Sequence, residues 1–231
     1  MVDHETPGQI PFQFGLVDDL GFDSFYPGRQ QALISACKAL VEGHGESQLY
    51  VCGGRHCGKT HILTACCNYA VSLGQRIAYL PAGIINDSEA LLGLDSLNLV
   101  CIDDVENLPR AGELALFTLI NEIRASGGRL VIASESVPSA LSLNLPDLVS
   151  RLSWGPVFQL ERLADRQIRD AFVLRARVMG LQLSDEVTDF ILYRQTRDMQ
   201  SLADNLKTLM DAAIVAKRRI TIPFVKEILN T

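Results

Sequence analysis

The chain contains a single tryptophan, and aromatic residues make up 6% of its 231 positions. No uninterrupted apolar run approaches the roughly 18 residues that a membrane span requires. Positive charge is not in excess. The formal net charge is −6 at pH 7, which argues against broad affinity for nucleic acid but leaves room for a local basic face. The opening Met-Val-Asp-His-Glu-Thr-Pro-Gly is polar and acidic, lacking the basic and apolar regions of a secretion signal, so a cytoplasmic location is expected. Paired CxxC spacings are missing as well. The six cysteines (Cys37, Cys52, Cys57, Cys66, Cys67, Cys101) fall on apolar segments or in a glycine-rich loop. They read as buried free thiols rather than metal ligands or disulfides. Internal repeats and low-complexity tracts are absent. What remains is 48% hydrophobic and 21% charged, the balance of a globular protein, with length for one nucleotide-sized domain and a smaller second one.

The most informative segment is Gly53-Gly54-Arg55-His56-Cys57-Gly58-Lys59-Thr60, a complete G-x-x-x-x-G-K-[ST] phosphate loop. It stands between an apolar strand over residues 47–52 and a helix from about 59 to 70. Glycines allow the sharp turn that faces successive N–H groups to phosphates, and the helix N-terminus favours the anion further. Lys59 would place positive charge near the terminal phosphates, and the Thr60 hydroxyl would face Mg²⁺. This pattern predicts binding of a nucleoside di- or triphosphate. Cys57, in the loop at a helix N-terminus, is expected to have a lowered pKa and to react when the site is empty.

Four more apolar runs follow, at 76–80, 99–102, 130–133 and 157–160. Helical stretches at 88–92, 113–125 and 145–152 separate them, indicating an α/β domain with a mainly parallel central sheet covered on both faces. Beyond Leu160 no strand is apparent. Helical spacing marks 165–179, 185–195 and 198–217, with Ser184 as an N-cap for the middle one, and a short helix begins near Pro223. The expected division is a tail at 1–21, a nucleotide-binding α/β domain at 22–162 and a small helical lid at 163–231.

Leu99-Val100-Cys101-Ile102-Asp103-Asp104 is an apolar strand ending in two carboxylates. In a phosphate-loop protein the first, Asp103, would hold Mg²⁺ largely through water. Asp104 occupies the place of a carboxylate that orients the attacking water. Ser134, at the end of the 130–133 run, could bond that water or the terminal phosphate.

Together these features resemble the AAA+ nucleotide switches. The segment Leu145-Pro146-Asp147-Leu148-Val149-Ser150-Arg151-Leu152 is similar to the one carrying the arginine finger in the DnaA clade, and Phe22-Asp23-Ser24-Phe25-Tyr26-Pro27-Gly28 to the one packing beside the base. Within that clade the resemblance is to the Hda-type regulators and covers essentially the whole sequence, including Thr221-Ile222-Pro223-Phe224-Val225-Lys226-Glu227-Ile228-Leu229. No residues follow the lid for a helix-turn-helix, which also fits that branch.

The resemblance implies ADP or ATP as cofactor, with ADP favoured, together with Mg²⁺. It assigns Phe25, Tyr26, Pro27, the loop residues 53–60, His61, Asp103 and Gln200 to the nucleotide site. It makes Arg151 a finger acting in trans on ATP held by DnaA. Gln9-Ile10-Pro11-Phe12-Gln13-Phe14 resembles the peptide that docks on the β sliding clamp, with Ile10, Phe12 and Phe14 in an apolar pocket and Gln9 supplying a hydrogen bond. Read without the family, the same tail would pack back on its own domain. DNA is then met only through these partners, at the nucleoid, and no membrane is involved. Self-association is left open.

One position departs from the clade. Gln200 stands where an arginine reaching the phosphates is expected, and glutamine brings no charge. Arg197 lies three residues earlier and would approach differently. The implied function is negative regulation of replication initiation with weak intrinsic hydrolysis. A self-sufficient AAA+ ATPase of the helicase-loader type is the alternative.

Overall fold

A computed structural model describes residues 20–194 and 198–230. Five parallel strands form one sheet: β1 (Gln48–Cys52), β2 (Ile77–Pro81), β3 (Leu99–Asp103), β4 (Arg129–Ser134) and β5 (Val157–Gln159). Their order across the sheet is β2-β3-β4-β1-β5. The central strands read as nearly continuous apolar runs because both faces are covered. Their side chains alternate between two cores. Leu49, Val51, Cys101, Val131 and Ala133 pack on one side. Tyr50, Cys52, Val100, Ile102 and Ile132 pack on the other.

The first core is closed by α1 (Gln31–Val41) and α2 (Lys59–Ser72), the second by α3 (Glu113–Ser126) and α4 (Pro146–Leu152). The helix α1 lies outside the expected elements; Leu33, Ile34, Cys37, Leu40 and Val41 are buried at helical spacing along it. In the other direction, the helix expected at 88–92 is a single 3₁₀ turn at Glu89–Leu91. The Asp87 carboxylate accepts from the N–H groups of Glu89 and Ala90, and Gly93 follows in the left-handed region. So short a segment cannot meet the cost of helix nucleation.

A third core belongs to the C-terminal helices α5 (Asp165–Val178), α6 (Asp185–Arg194), α7 (Met199–Ala216) and α8 (Ile222–Leu229). Phe172, Ile191, Leu202, Leu206, Leu209 and Phe224 are buried within it. Ser184 Oγ accepts from the Val187 N–H, as an N-cap should. No helix among the described residues is long and apolar enough to cross a membrane. All six cysteines are buried free thiols.

Candidate functional site

The phosphate loop leaves the C-terminal end of β1 and enters α2, so it opens at the carboxyl edge of the parallel sheet. Gly53 is obligatory there, because a Cβ would lie 2.4 Å from Leu160 O and 2.7 Å from Cys57 Sγ. The buried ammonium of Lys59 donates to Gly53 O at 2.8 Å and Gly54 O at 3.4 Å. Gly54, Arg55 and His56 are exposed on the outside of the loop, while Gly58 lies under the Phe25 ring. His56 adopts φ 62°, an uncommon left-handed conformation for a residue with a side chain.

Thr60 Oγ1 donates to Asp103 Oδ2 at 2.7 Å, and Tyr79 OH donates to the same oxygen at 2.7 Å. Hydroxyl and carboxylate oxygens thus stand together where a small, hard cation would lie. No cluster of three or more acidic, histidine or cysteine side chains suited to a metal occurs among the described residues. That donor set fits Mg²⁺, which keeps water and phosphate oxygens in most of its positions and takes few from protein. Tyr79 was missed at the sequence level; it comes from β2, which pairs with β3 in a register that puts Tyr79 opposite Cys101.

Asp104 follows in the left-handed region at φ 54°, and its N–H donates to Asp103 Oδ1 at 2.9 Å. Burial, then the neighbouring Asp103 and Glu106, push its carboxyl above the usual range, against the pull of Lys59. Ser134 lies at the end of β4, between β1 and β3, fully buried. Its hydroxyl is engaged with Ser136, donating to the carbonyl at 2.7 Å and accepting from the N–H at 3.0 Å. Behind it, Glu106 Oε2 accepts the Glu135 N–H, and Glu135 sits 3.7 Å from Arg55 Nε. Neither glutamate carried a signal in the sequence.

The expectation of a reactive Cys57 is corrected. Its thiol is buried, and that burial raises its pKa above the usual value despite the opposing charge of Lys59. Loss of hydration outweighs the helix terminus here.

On the far side of the loop, Phe25 is buried and meets His61 edge-on at 5.2 Å. His61 Nε2 contacts Gly21 O at 3.0 Å and Ser24 Oγ at 3.2 Å, so this ring fastens the N-terminal segment to α2. Burial lowers its pKa to about 4. Tyr26 and Pro27 are half-buried beside it, with Tyr26 packed on Gly28.

Among the described residues the helical domain meets the loop through His56 and Asp198. His56 Nδ1 lies 3.1 Å from Asp198 Oδ1, and Asp198 is the N-cap of α7, accepting from the Gln200 and Ser201 N–H groups. Gln200 itself turns along its own helix, its amide donating to Asp204 Oδ1 at 3.2 Å. Arg197 and the tail residues Gln9, Ile10, Phe12 and Phe14 lie outside the described residues.

Arg151 is placed elsewhere. It lies in the last turn of α4 beside the start of β1, where the Gln48 side chain donates to Arg151 O and Trp154 O, both at 2.9 Å. The phosphate loop starts at the other end of β1, about 13 Å away at ~3.3 Å per residue. Arg151 is thus held at the end of β1 away from the phosphate loop of its own chain.

A parallel sheet of this order, with a phosphate loop, a strand-end acid pair and a following helical domain, defines an AAA+ nucleotide-binding protein. The chain belongs to the family of the bacterial DnaA ATPase domain, which matches residues 16–159, and residues 165–229 match the lid domain of Hda. Domain III of the Thermotoga maritima replication initiation protein DnaA is similar throughout. The two are 24% identical with a TM-score of 0.74, over 94% of this chain and 98% of that one. AMPPCP-bound DnaA from Aquifex aeolicus is 23% identical, with a TM-score of 0.68 over 87% of this chain and 67% of that one. A Thermotoga maritima RuvB mutant, 19% identical with a TM-score of 0.63 over 91% of this chain and 71% of that one, shares the fold.

Proposed function

We propose that this chain binds an adenine nucleotide, ADP in preference to ATP, and acts as a negative regulator of replication initiation by promoting hydrolysis of ATP held by DnaA. The observation that supports this reading is the position of Arg151, at the opposite edge of the sheet from its own phosphate loop. A guanidinium there is available to a neighbouring subunit, where it would neutralise charge developing on the terminal phosphate. Such trans contributions reach roughly 10³–10⁵ in rate.

Within the chain's own site, Thr60 and Asp103 would hold Mg²⁺, which when bound neutralises phosphate charge. Lys59 and the loop N–H groups would bind the phosphates, and the Phe25–Tyr26–Pro27 segment would pack beside the base. Bound nucleotide would order the lid through the His56–Asp198 contact. The tail motif Gln9–Phe14 would tether the protein to a β clamp left on replicated DNA, raising its effective concentration near DnaA. Contact with DNA would be through these partners alone.

The second reading, a self-sufficient ATPase, is favoured by the assembly of Lys59, Thr60, Asp103 and Asp104 in one place. Against it, Gln200 supplies no cation and its amide is turned to Asp204.

The test is hydrolysis of DnaA-bound ATP with DNA-loaded clamp, comparing intact chain, Arg151→Ala and a chain lacking residues 1–16. Stimulation lost with either change supports the regulator. Turnover by this protein alone, without stimulation of DnaA, supports the independent ATPase.

A further inference from the structure

The Arg151 guanidinium carbon lies 4.0 Å from the Trp154 ring centroid and 5.3 Å from that of Phe117. Its Nε is buried without a hydrogen-bond partner. Among the described residues no carboxylate lies within ion-pair distance of it. Aromatic rings hold this side chain, and the difference matters chemically. An ion pair would neutralise the charge and occupy the terminal N–H donors. Stacking does neither, and leaves the in-plane donor fork free for a planar or tetrahedral oxyanion.

The stack is anchored from below. The buried Gln48 amide bonds the carbonyls of both Arg151 and Trp154, fixing the two residues to β1 and to each other. Gly155 makes this approach feasible, since it adopts φ 78° and a Cβ there would lie 2.2 Å from Gln48 O. A second guanidinium uses the same ring: Arg124, in the last turn of α3, lies 4.2 Å from the Trp154 centroid, also without a carboxylate partner among the described residues.

We propose that Trp154 is a positioning residue for Arg151, its indole holding the guanidinium ordered and open toward a partner's phosphate, with Arg124 braced on the same ring. This rests on the reading of Arg151 as a group acting in trans. Two costs are avoided by the arrangement. The arginine loses rotamer freedom before the encounter rather than during it, and its charge is not spent within the chain.

Trp154 is the only tryptophan, so its emission reports this one place. In the isolated chain, Arg151→Ala and Arg124→Ala should each shift the emission and increase quenching by acrylamide, by uncovering the ring. Unchanged emission and quenching in Arg151→Ala would overturn the inference without reference to any partner.

The second arm measures stimulated hydrolysis of DnaA-bound ATP as a function of the concentration of this chain. Trp154→Leu should lower the maximal rate roughly three- to thirtyfold, the range from an exposed to a desolvated cation–π contact, with the half-saturating concentration unchanged. Trp154→Phe, which keeps an aromatic face, should restore most of it. A loss confined to the half-saturating concentration, or no rescue by phenylalanine, would make Trp154 a docking or packing residue and overturn the proposal. If Arg151→Ala abolishes stimulation while Trp154→Leu leaves it intact, the positioning role alone fails. If stimulation survives Arg151→Ala, the trans reading itself fails, and this inference with it.

Discussion

His56 Nδ1 stands 3.1 Å from Asp198 Oδ1, joining the outer turn of the phosphate loop to the first turn of α7. The carboxylate does two jobs, since it also caps α7. Burial raises the Asp198 pKa, but donation from the Ser201 N–H and hydroxyl and the Gln200 N–H outweighs this and sets it below the usual range. Asp198→Ala should therefore cost about 1 kcal/mol through the lost cap. Asp198→Asn keeps the cap and weakens only the link to His56. Denaturant unfolding should separate the two variants, and nucleotide should protect the lid from proteolysis less in both.

Tyr79 and Thr60 both donate to Asp103 Oδ2. Tyr79→Phe removes one donor from a buried acceptor, which should lower stability by about 1 kcal/mol. The freed carboxylate can also rotate, so Mg²⁺-dependent nucleotide affinity should fall while the Mg²⁺-independent part is kept. Titration of labelled ADP with and without Mg²⁺ checks this.

His61 predicts a pH response. Burial lowers its folded pKa to about 4, below the ordinary value of 6.5, so between these values the unfolded state binds more protons than the folded one. Stability then rises with pH through that window. The contribution is complete above about 6.5 and lost as pH falls toward 4. His61→Phe, judged by melting temperature at several pH values, should flatten this part of the profile.

Cys57 should react slowly. Its raised pKa and burial keep it a neutral thiol at neutral pH, so a maleimide should label it more slowly than a free thiol of ordinary pKa, with or without nucleotide. Labelling of intact chain against Cys57→Ser, read by mass spectrometry, measures it.

Gly155→Ala should destabilise the α4–β5 turn strongly. The added Cβ meets a backbone oxygen at 2.2 Å in a left-handed conformation, so backbone must move. A loss of about 1–3 kcal/mol is expected from strain of this kind, visible as a lower denaturant midpoint.

Much of the nucleotide site was legible because its parts are local. Gly53 to Thr60 are consecutive, and Asp103 and Asp104 close a short apolar run of strand length directly before a turn. The helix α1 is equally legible in the spacing of Leu33, Cys37, Leu40 and Val41. Cys57 was misjudged because the loop pattern conveys the helix terminus but not the depth of burial, and burial has the larger effect. Tyr79, Glu106 and Glu135 had no signal, since each reaches the site from a different part of the sheet edge.

The sequence by itself determined the phosphate loop, the alternating strands and helices, and the helical character after Leu160. Those follow from short-range sterics and from periodic burial, which neighbouring residues set among themselves. Only the tertiary structure decided that Arg151 lies at the opposite edge of the sheet from Lys59, and that Arg124 and Arg151 share one indole. Strand order and register bring those groups together across tens of residues, and no local pattern encodes a contact made by packing.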